Sequence, residues 1–403
     1  MTITTGRART FEVIAEAILG SGVTTVFGLM GEDTAKLVTT LAAQPGITYH
    51  GARHESMAVA MADGYARASG RLGVAVLSRG PGLVNGLTGA VAACKHGTAL
   101  LVIAGSSPVT ERQAGLGKRN PKHVAQIQLL EACGLRSVEV TPEHVREDVA
   151  EAIALASSGV AVCLNVPTDL LDAPVLEDAV APPAGQELDD VVEPTEADVS
   201  RLTALLDASE RPLLLAGRGA IGASEALREL AEHCGALLST SLLAKDLFAD
   251  DEFDIGVVGG FAGDVTRSLL ADRDLVVAFG AGLNSYTTGG GELFPQAKLV
   301  RVDQDADSLR EGPSLALGVV ADAEATAARL RATVRAAPGR RGERERALVS
   351  EDRRRLDFIE ESVPDGIDPR RLLRELDAIL PADRALVLDA GAFVGFASRY
   401  LSV

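Results

Sequence analysis

The chain reads as an α/β protein built from doubly wound, parallel-sheet domains. Three observations predict this. Apolar runs of strand length alternate with helical patterns almost throughout. The runs are apolar on both sides of the pleat, as in Gly73-Val74-Ala75-Val76-Leu77-Ser78, which suits sheets covered by helices on two faces. At 403 residues the chain is too long for one core, and two Pro/Gly-bearing charged stretches divide it.

Taken in order, the first strands are expected at residues 24–28, 73–78, 99–104 and 160–165. A break follows at Ala181-Pro182-Pro183-Ala184-Gly185, with an acidic stretch to Pro194. The rhythm resumes with strands at 211–216, 274–279 and 298–303. A second charged stretch covers about 337–364, followed by an amphipathic helix at 369–380 and a strand at 384–389. One strand and part of a helix cannot bury their own apolar faces, so another chain or further residues are expected to complete this last part.

The net charge of −17 excludes nucleic acid as a partner, because no basic surface is available to neutralise phosphates. The basic runs at 340–346 and 353–355 are interrupted or flanked by acids and read as a solvated helix face or linker. No window reaches the length of a membrane span and no signal-peptide pattern opens the chain, so a cytoplasmic protein without membrane partners is expected. The four cysteines (Cys94, Cys133, Cys163 and Cys234) lie far apart with no C-x-x-C spacing, which implies neither zinc nor a disulfide framework.

Chemistry is concentrated near residue 55. Glu55 opens a segment in which no side chain from Met57 to Ala62 is polar, so that turn and a half is expected to be buried on every face. A lone carboxylate there either serves the N-terminus of its own helix or is kept for chemistry. Gly80-Pro81-Gly82 follows a buried strand and opens a helix, where missing side chains admit a ligand and Asn85 supplies an amide. Gly217-Arg218-Gly219-Ala220-Ile221-Gly222 satisfies a dinucleotide fingerprint, but the next strand ends in Ser239-Thr240-Ser241 without the confirming acid. Structural punctuation is the better reading there, and an NAD-linked oxidoreductase is the last-ranked alternative.

In order and spacing these segments resemble the thiamine-diphosphate enzymes of the acetolactate synthase, pyruvate decarboxylase and benzoylformate decarboxylase superfamily. The landmarks are residues 26–31, His54-Glu55 with Asp63-Gly64-Tyr65-Ala66-Arg67, Gly80-Pro81-Gly82 with Asn85, and, further on, 216–219, 278–283 and 301–305. The resemblance implies a pyrimidine-binding domain at 1–181, a Rossmann-like middle domain at 190–336, a linker at 337–366 and a truncated start of a diphosphate-binding domain at 367–403. It implies that Glu55 hydrogen-bonds a ring nitrogen of the cofactor's aminopyrimidine and favours its imino tautomer. It implies decarboxylation or carboligation of a small 2-oxo acid, with Gly80, Pro81, Gly82, Asn85 and Gly391 against the cofactor.

Other positions follow from the same resemblance. Glu32 stands where decarboxylases of the family place an active-site carboxylate, although it reads equally as a first-turn acid of the next helix. Gln113, Gln126 and Gln128 lie where the family sets a polar residue over the thiazolium; for each, a surface role is the plainer reading. Lys118-Arg119 occupies the region of the decarboxylases' histidine pair, and Arg79 stands where relatives carry a small Ser. His96 and His123 read as surface or packing residues. Gly282 takes the place of the Arg seen in flavin-holding relatives, so FAD is not expected. No Gly-Asp-Gly triplet occurs, so the ligands of Mg²⁺ are expected outside this chain, on a diphosphate-domain subunit or the remainder of the protein within a homo- or hetero-oligomer. A non-catalytic regulatory or scaffolding homologue is the alternative of a different class.

Overall fold

A computed structural model describes residues 7–113, 115, 120–175, 191–310, 312–354, 358–389, 391 and 393–403. The break at 181–185 and the Lys118-Arg119 pair lie outside the described residues. The chain divides into two compact units, Met1–Leu188 and Asp189–Val403.

In the first unit six strands form one sheet: β1 (Thr25–Gly28), β2 (Thr48–Gly51), β3 (Gly73–Leu77), β4 (Leu100–Ser106), β5 (Arg136–Glu139) and β6 (Ala161–Pro167). Their spatial order is β2-β1-β3-β4-β6-β5 and every neighbouring pair is parallel. All residues of β3, β4 and β6 are buried, because alternate side chains enter two different cores. Val74, Val76, Leu101 and Ile103 pack with Ile14 and Ile18 of α1 (Thr10–Gly20) and Leu37 of α2 (Ala35–Ala42). Ala75, Leu77 and Val102 pack on the other face with Ala58 and Ala62 of α3 (Glu55–Ser69) and Leu83 of α4 (Pro81–Lys95). From β1 the chain moves outward to β2, then returns to β3 on the far side of β1. The winding reverses between β1 and β3, so a crevice opens at the carboxyl ends of those strands.

Helix α3 differs from its expected burial. Ala58, Val59, Ala62 and Ala66 are buried, but Met57 is 53% and Met61 36% exposed, and Ala60 is exposed too. With a period of 3.6 residues, only one face of the helix meets the sheet and α4, and a lack of polar side chains does not bury the other face.

The second unit repeats the architecture with β7 (Pro212–Ala216), β8 (Leu237–Thr240), β9 (Asp254–Val257), β10 (Leu275–Phe279), β11 (Lys298–Asp303) and β12 (Leu317–Val320) in the order β12-β11-β10-β7-β8-β9, all parallel. Both sheets together establish the doubly wound α/β class. The stretch read as a linker contains the helix Glu343–Arg354, whose Val349 joins a core with Phe253, Val265 and Leu269. The strand expected at 384–389 has no ladder, and Val387 is 91% exposed. An isolated extended segment has no neighbour to pair its amides and carbonyls, and none among the described residues adds to it. Near it, the helices Pro369–Ile379 and Val394–Tyr400 pack together, leaving Phe393 and Phe396 exposed but Leu401 buried. No helix among the described residues is long and apolar enough to cross a membrane.

Candidate active site

The crevice of the first unit gathers the residues to which the sequence points. Extended His54 caps α3, its Nδ1 accepting the Ser56 amide at 3.2 Å, which sets Glu55 as the first helical residue. Glu55 is half-buried; its Oε2 accepts a hydrogen bond from Asn85 Nδ2 of α4 at 3.0 Å. The two helices can approach this closely because α4 carries Gly86 and Gly89 opposite Val59. A Cβ on Gly86 would lie 3.1 Å from Val59 Cγ2, and one on Gly89 3.0 Å from Val59 Cγ1.

The turn into α4 is fixed by a buried polar network. Gly80 caps the helix at φ +63°, Pro81 occupies its first turn, and a Cβ on Gly80 would lie 2.1 Å from the Lys122 carbonyl oxygen. The Gly80 amide donates to Gln126 Oε1 at 2.7 Å. Gln126, the first residue of its helix Gln126–Ala132, is 4% exposed, and its Nε2 donates to Gly105 O at 3.1 Å and Asn165 Oδ1 at 3.0 Å. Asn165 passes the network on to Ser137 Oγ at 2.7 Å.

Glycines shape the crevice itself. A Cβ on Gly31 would sit 2.5 Å from Ser78 Cβ and 2.7 Å from Asp33 Oδ1; one on Gly82 would sit 2.3 Å from Ser78 Oγ and 3.2 Å from Glu55 Oε1. Glu55 Oε1 therefore lies against the backbone at position 82, where Ser78 leaves no room for a side chain. A carboxylate held by an amide at a helix N-terminus is the kind of group that pairs with a ring nitrogen, so the chemistry of these residues suits the aminopyrimidine end of thiamine diphosphate.

The other predicted positions are distributed differently. The Glu32 side chain is 91% exposed and faces Lys122 Nζ at 3.6 Å. Its neighbour Asp33 turns inward, Oδ2 accepting the Arg79 amide at 2.7 Å. Nothing in the pair Glu32-Asp33 distinguishes the two by sequence; the hydrogen bond to the β3 end does. Gln113 and Gln128 are exposed, whereas Gln126 belongs to the network. His123 Nδ1 lies 2.9 Å from Ser107 Oγ. Gly391 is exposed in the second unit, beside Phe393. Asp63 and Arg67 pair at 2.8 Å on α3 and Tyr65 packs on Phe27, so this motif braces the helix. Among the described residues no group of three or more His, Cys, Asp and Glu is placed to hold a metal ion.

At the corresponding reversal of the second sheet, between β7 and β10, the Gly217 amide donates to Phe279 O at 2.8 Å and the Gly219 amide to Gly280 O at 3.1 Å. A Cβ on Gly217 would lie 2.2 Å from Gly280 O. These amides are spent on the neighbouring strand end and not directed at a phosphate.

Comparison with known proteins agrees with the geometry. Residues 8–132 match the family described as thiamine pyrophosphate enzyme, N-terminal TPP binding domain, and residues 199–330 match thiamine pyrophosphate enzyme, central domain. The chain is similar to a probable 2-ketoarginine decarboxylase of Pseudomonas aeruginosa, 30% identical over 408 residues that cover 99% of this chain and 70% of that protein. It is 29% identical to a sulfoacetaldehyde acetyltransferase of Castellaniella defragrans, over 97% of this chain and 69% of the relative. A chloroplastic acetolactate synthase 1 of Oryza sativa subsp. japonica is 26% identical over 96% of this chain and 61% of its own length. The crevice, its carboxylate and these matches together show that the chain belongs to the thiamine pyrophosphate-dependent enzyme superfamily.

Proposed function

We propose that the first unit supplies the aminopyrimidine-facing half of a thiamine-diphosphate site that decarboxylates a 2-oxo acid and protonates the remaining fragment or joins it to an acceptor carbonyl. Glu55 carries this reading: Asn85 holds one of its oxygens, and the other lies against the side-chain-free position 82. In that role Glu55 holds a proton at Oε1 and shares it with a ring nitrogen of the cofactor. Asn85 keeps the carboxylate from rotating, and the Gly80–Gly82 backbone admits the ring. When bound, the cofactor supplies a nucleophilic carbon and an electron sink for loss of carbon dioxide.

The diphosphate and its Mg²⁺ are assigned to residues other than those described, from a further polypeptide or segment. Met57, Ala60, Met61 and Gly64, exposed along α3 at helical spacing, support assembly through an apolar contact. In the assembled enzyme Glu55→Gln should lower carbon dioxide release from a 2-oxo acid by roughly 10²-fold or more while leaving the fold intact. An unchanged rate removes Glu55 from the chemistry and favours the scaffolding alternative.

A further inference from the structure

Helix α4 carries the Gly80–Gly82 turn and Asn85, yet its own residues do little to secure its N-terminus. Gly80 at the cap offers no side-chain bond, and the first turn holds no acid. The carboxylate that suits such a helix end comes from another strand. Asp33, half-buried in the turn that leaves β1, accepts the Arg79 amide on Oδ2 at 2.7 Å. The next amide, of Gly80, donates to Gln126 Oε1 at 2.7 Å. Two successive amides beyond β3 are thus held by two side chains, each 46 positions away.

Glycines on both sides give the Asp33 carboxylate its room. A Cβ on Gly31 would lie 2.7 Å from Oδ1, and one on Gly105 of β4 would lie 2.3 Å from Oδ2. Neither glycine has a positive φ, so the missing Cβ and not the backbone conformation is what these places use. The Gly105 carbonyl also accepts Gln126 Nε2 at 3.1 Å, so one residue of β4 supports both ties to the turn. On the side of β1, the Leu29 amide donates to Val76 O at 3.2 Å and extends the pairing with β3 toward Asp33.

We infer that Asp33 is a positioning residue. By holding the Arg79 amide it fixes the Gly80–Gly82 turn and, through Asn85 one turn into α4, the carboxylate of Glu55, which accepts Asn85 Nδ2 at 3.0 Å. This inference rests on the proposed thiamine-diphosphate reading for the use made of Glu55. The place of the acceptor oxygen matters more than its charge, because a hydrogen bond is directional and the space between Gly31 and Gly105 is limited. Asparagine should therefore substitute for Asp33, and glutamate, longer by one methylene, should not.

The test follows the Asn85 side-chain amide signals of the full chain by NMR. Calorimetry measures the affinity of the assembled enzyme for thiamine diphosphate with Mg²⁺. Asp33→Asn retains an oxygen that can accept the Arg79 amide, and should leave the signals in place and the affinity within about threefold. Asp33→Ala removes the acceptor, and should move the signals and weaken cofactor binding by roughly tenfold or more. Asp33→Glu should behave like Asp33→Ala although it keeps the charge. Melting temperatures check folding, and the contrast of Asp33→Glu with Asp33→Asn carries the test should Asp33→Ala not fold. The same change in Asp33→Asn as in Asp33→Ala, or an Asp33→Glu protein that matches the original, would overturn the inference. So would a lowered melting temperature in Asp33→Ala with Asn85 signals and cofactor affinity unaltered, because Asp33 would then serve stability alone. Glu55→Gln separates the two proposals. Asn85 signals that move in Asp33→Ala while Glu55→Gln leaves carbon dioxide release unchanged defeat the reaction alone. A rate that depends on Glu55 while those signals stay in place defeats Asp33 alone.

Discussion

Replacing Gln126 by Leu isolates the network that holds the Gly80 turn. The exchange keeps side-chain volume near constant and deletes three hydrogen bonds, to the Gly80 amide, to Gly105 O and to Asn165 Oδ1. Gly80 and Gly105 are buried, so their amide and carbonyl are stranded without water, at about 1–3 kcal/mol each. Asn165 is affected less, because its Nδ2 still donates to Ser137 and Cys163 Sγ lies 3.8 Å from its Oδ1. Burial of an apolar side chain returns part of the cost, leaving a net destabilisation of roughly 3 kcal/mol. Two measurements check this. The urea midpoint of the first unit's transition should fall accordingly, and hydrogen exchange at the Gly80 amide should accelerate far beyond its change elsewhere. A midpoint within about 0.5 kcal/mol of the original, with Gly80 exchange unaltered, would refute the claim that Gln126 secures the turn.

Further outcomes follow from the same geometry. Gly82→Ala places a methyl group 2.3 Å from Ser78 Oγ and 3.2 Å from Glu55 Oε1, so calorimetry on the assembled enzyme should show thiamine diphosphate binding weakened by about tenfold or more, together with a lower melting temperature as Ser78 is displaced. Burial pushes the Asp274 carboxyl up, but hydrogen bonds from Ser209 and the Glu210 and Arg211 amides outweigh it and hold its pKa below the ordinary aspartate value. The stabilisation is therefore fully present above the unfolded value of about 3.9 and lost as pH falls through the lower folded value. Asp274→Asn should cost roughly 1 kcal/mol at neutral pH in denaturant titrations, with a smaller deficit in acid. Burial also drives the Cys163 thiol up to about 12, and Cys234 is buried with it, whereas Cys94 and Cys133 are partly exposed. A thiol reagent should label the latter pair in the folded protein and reach Cys163 and Cys234 only on unfolding.

Much of this molecule is legible without coordinates, and the exceptions have physical causes. The central strands β3, β4, β7 and β10 are continuous apolar runs because both sheet faces are covered. Glu55, Gly80, Gly82 and Asn85 are brought together in space as their order suggested, since each follows the carboxyl end of a strand. Local sequence failed where partners are distant. The inward turn of Asp33 depends on the Arg79 amide 46 positions away, and the burial of Gln126 depends on Gly80 and Asn165. Composition also misled at α3, where an unbroken apolar stretch suggested burial on every side although Met57 and Met61 face outward. At 384–389 an apolar pattern of strand type found no neighbour among the described residues to complete it.

The glycine contact between the ends of β7 and β10 has a mechanical corollary. Gly217, Gly219 and Gly280 interlock main chain on main chain, with no side chain between them to hop or compress. Main-chain hydrogen bonds thus join the two middle strands of that sheet at their tips, and a side chain larger than glycine at position 217 or 280 would have to push them apart.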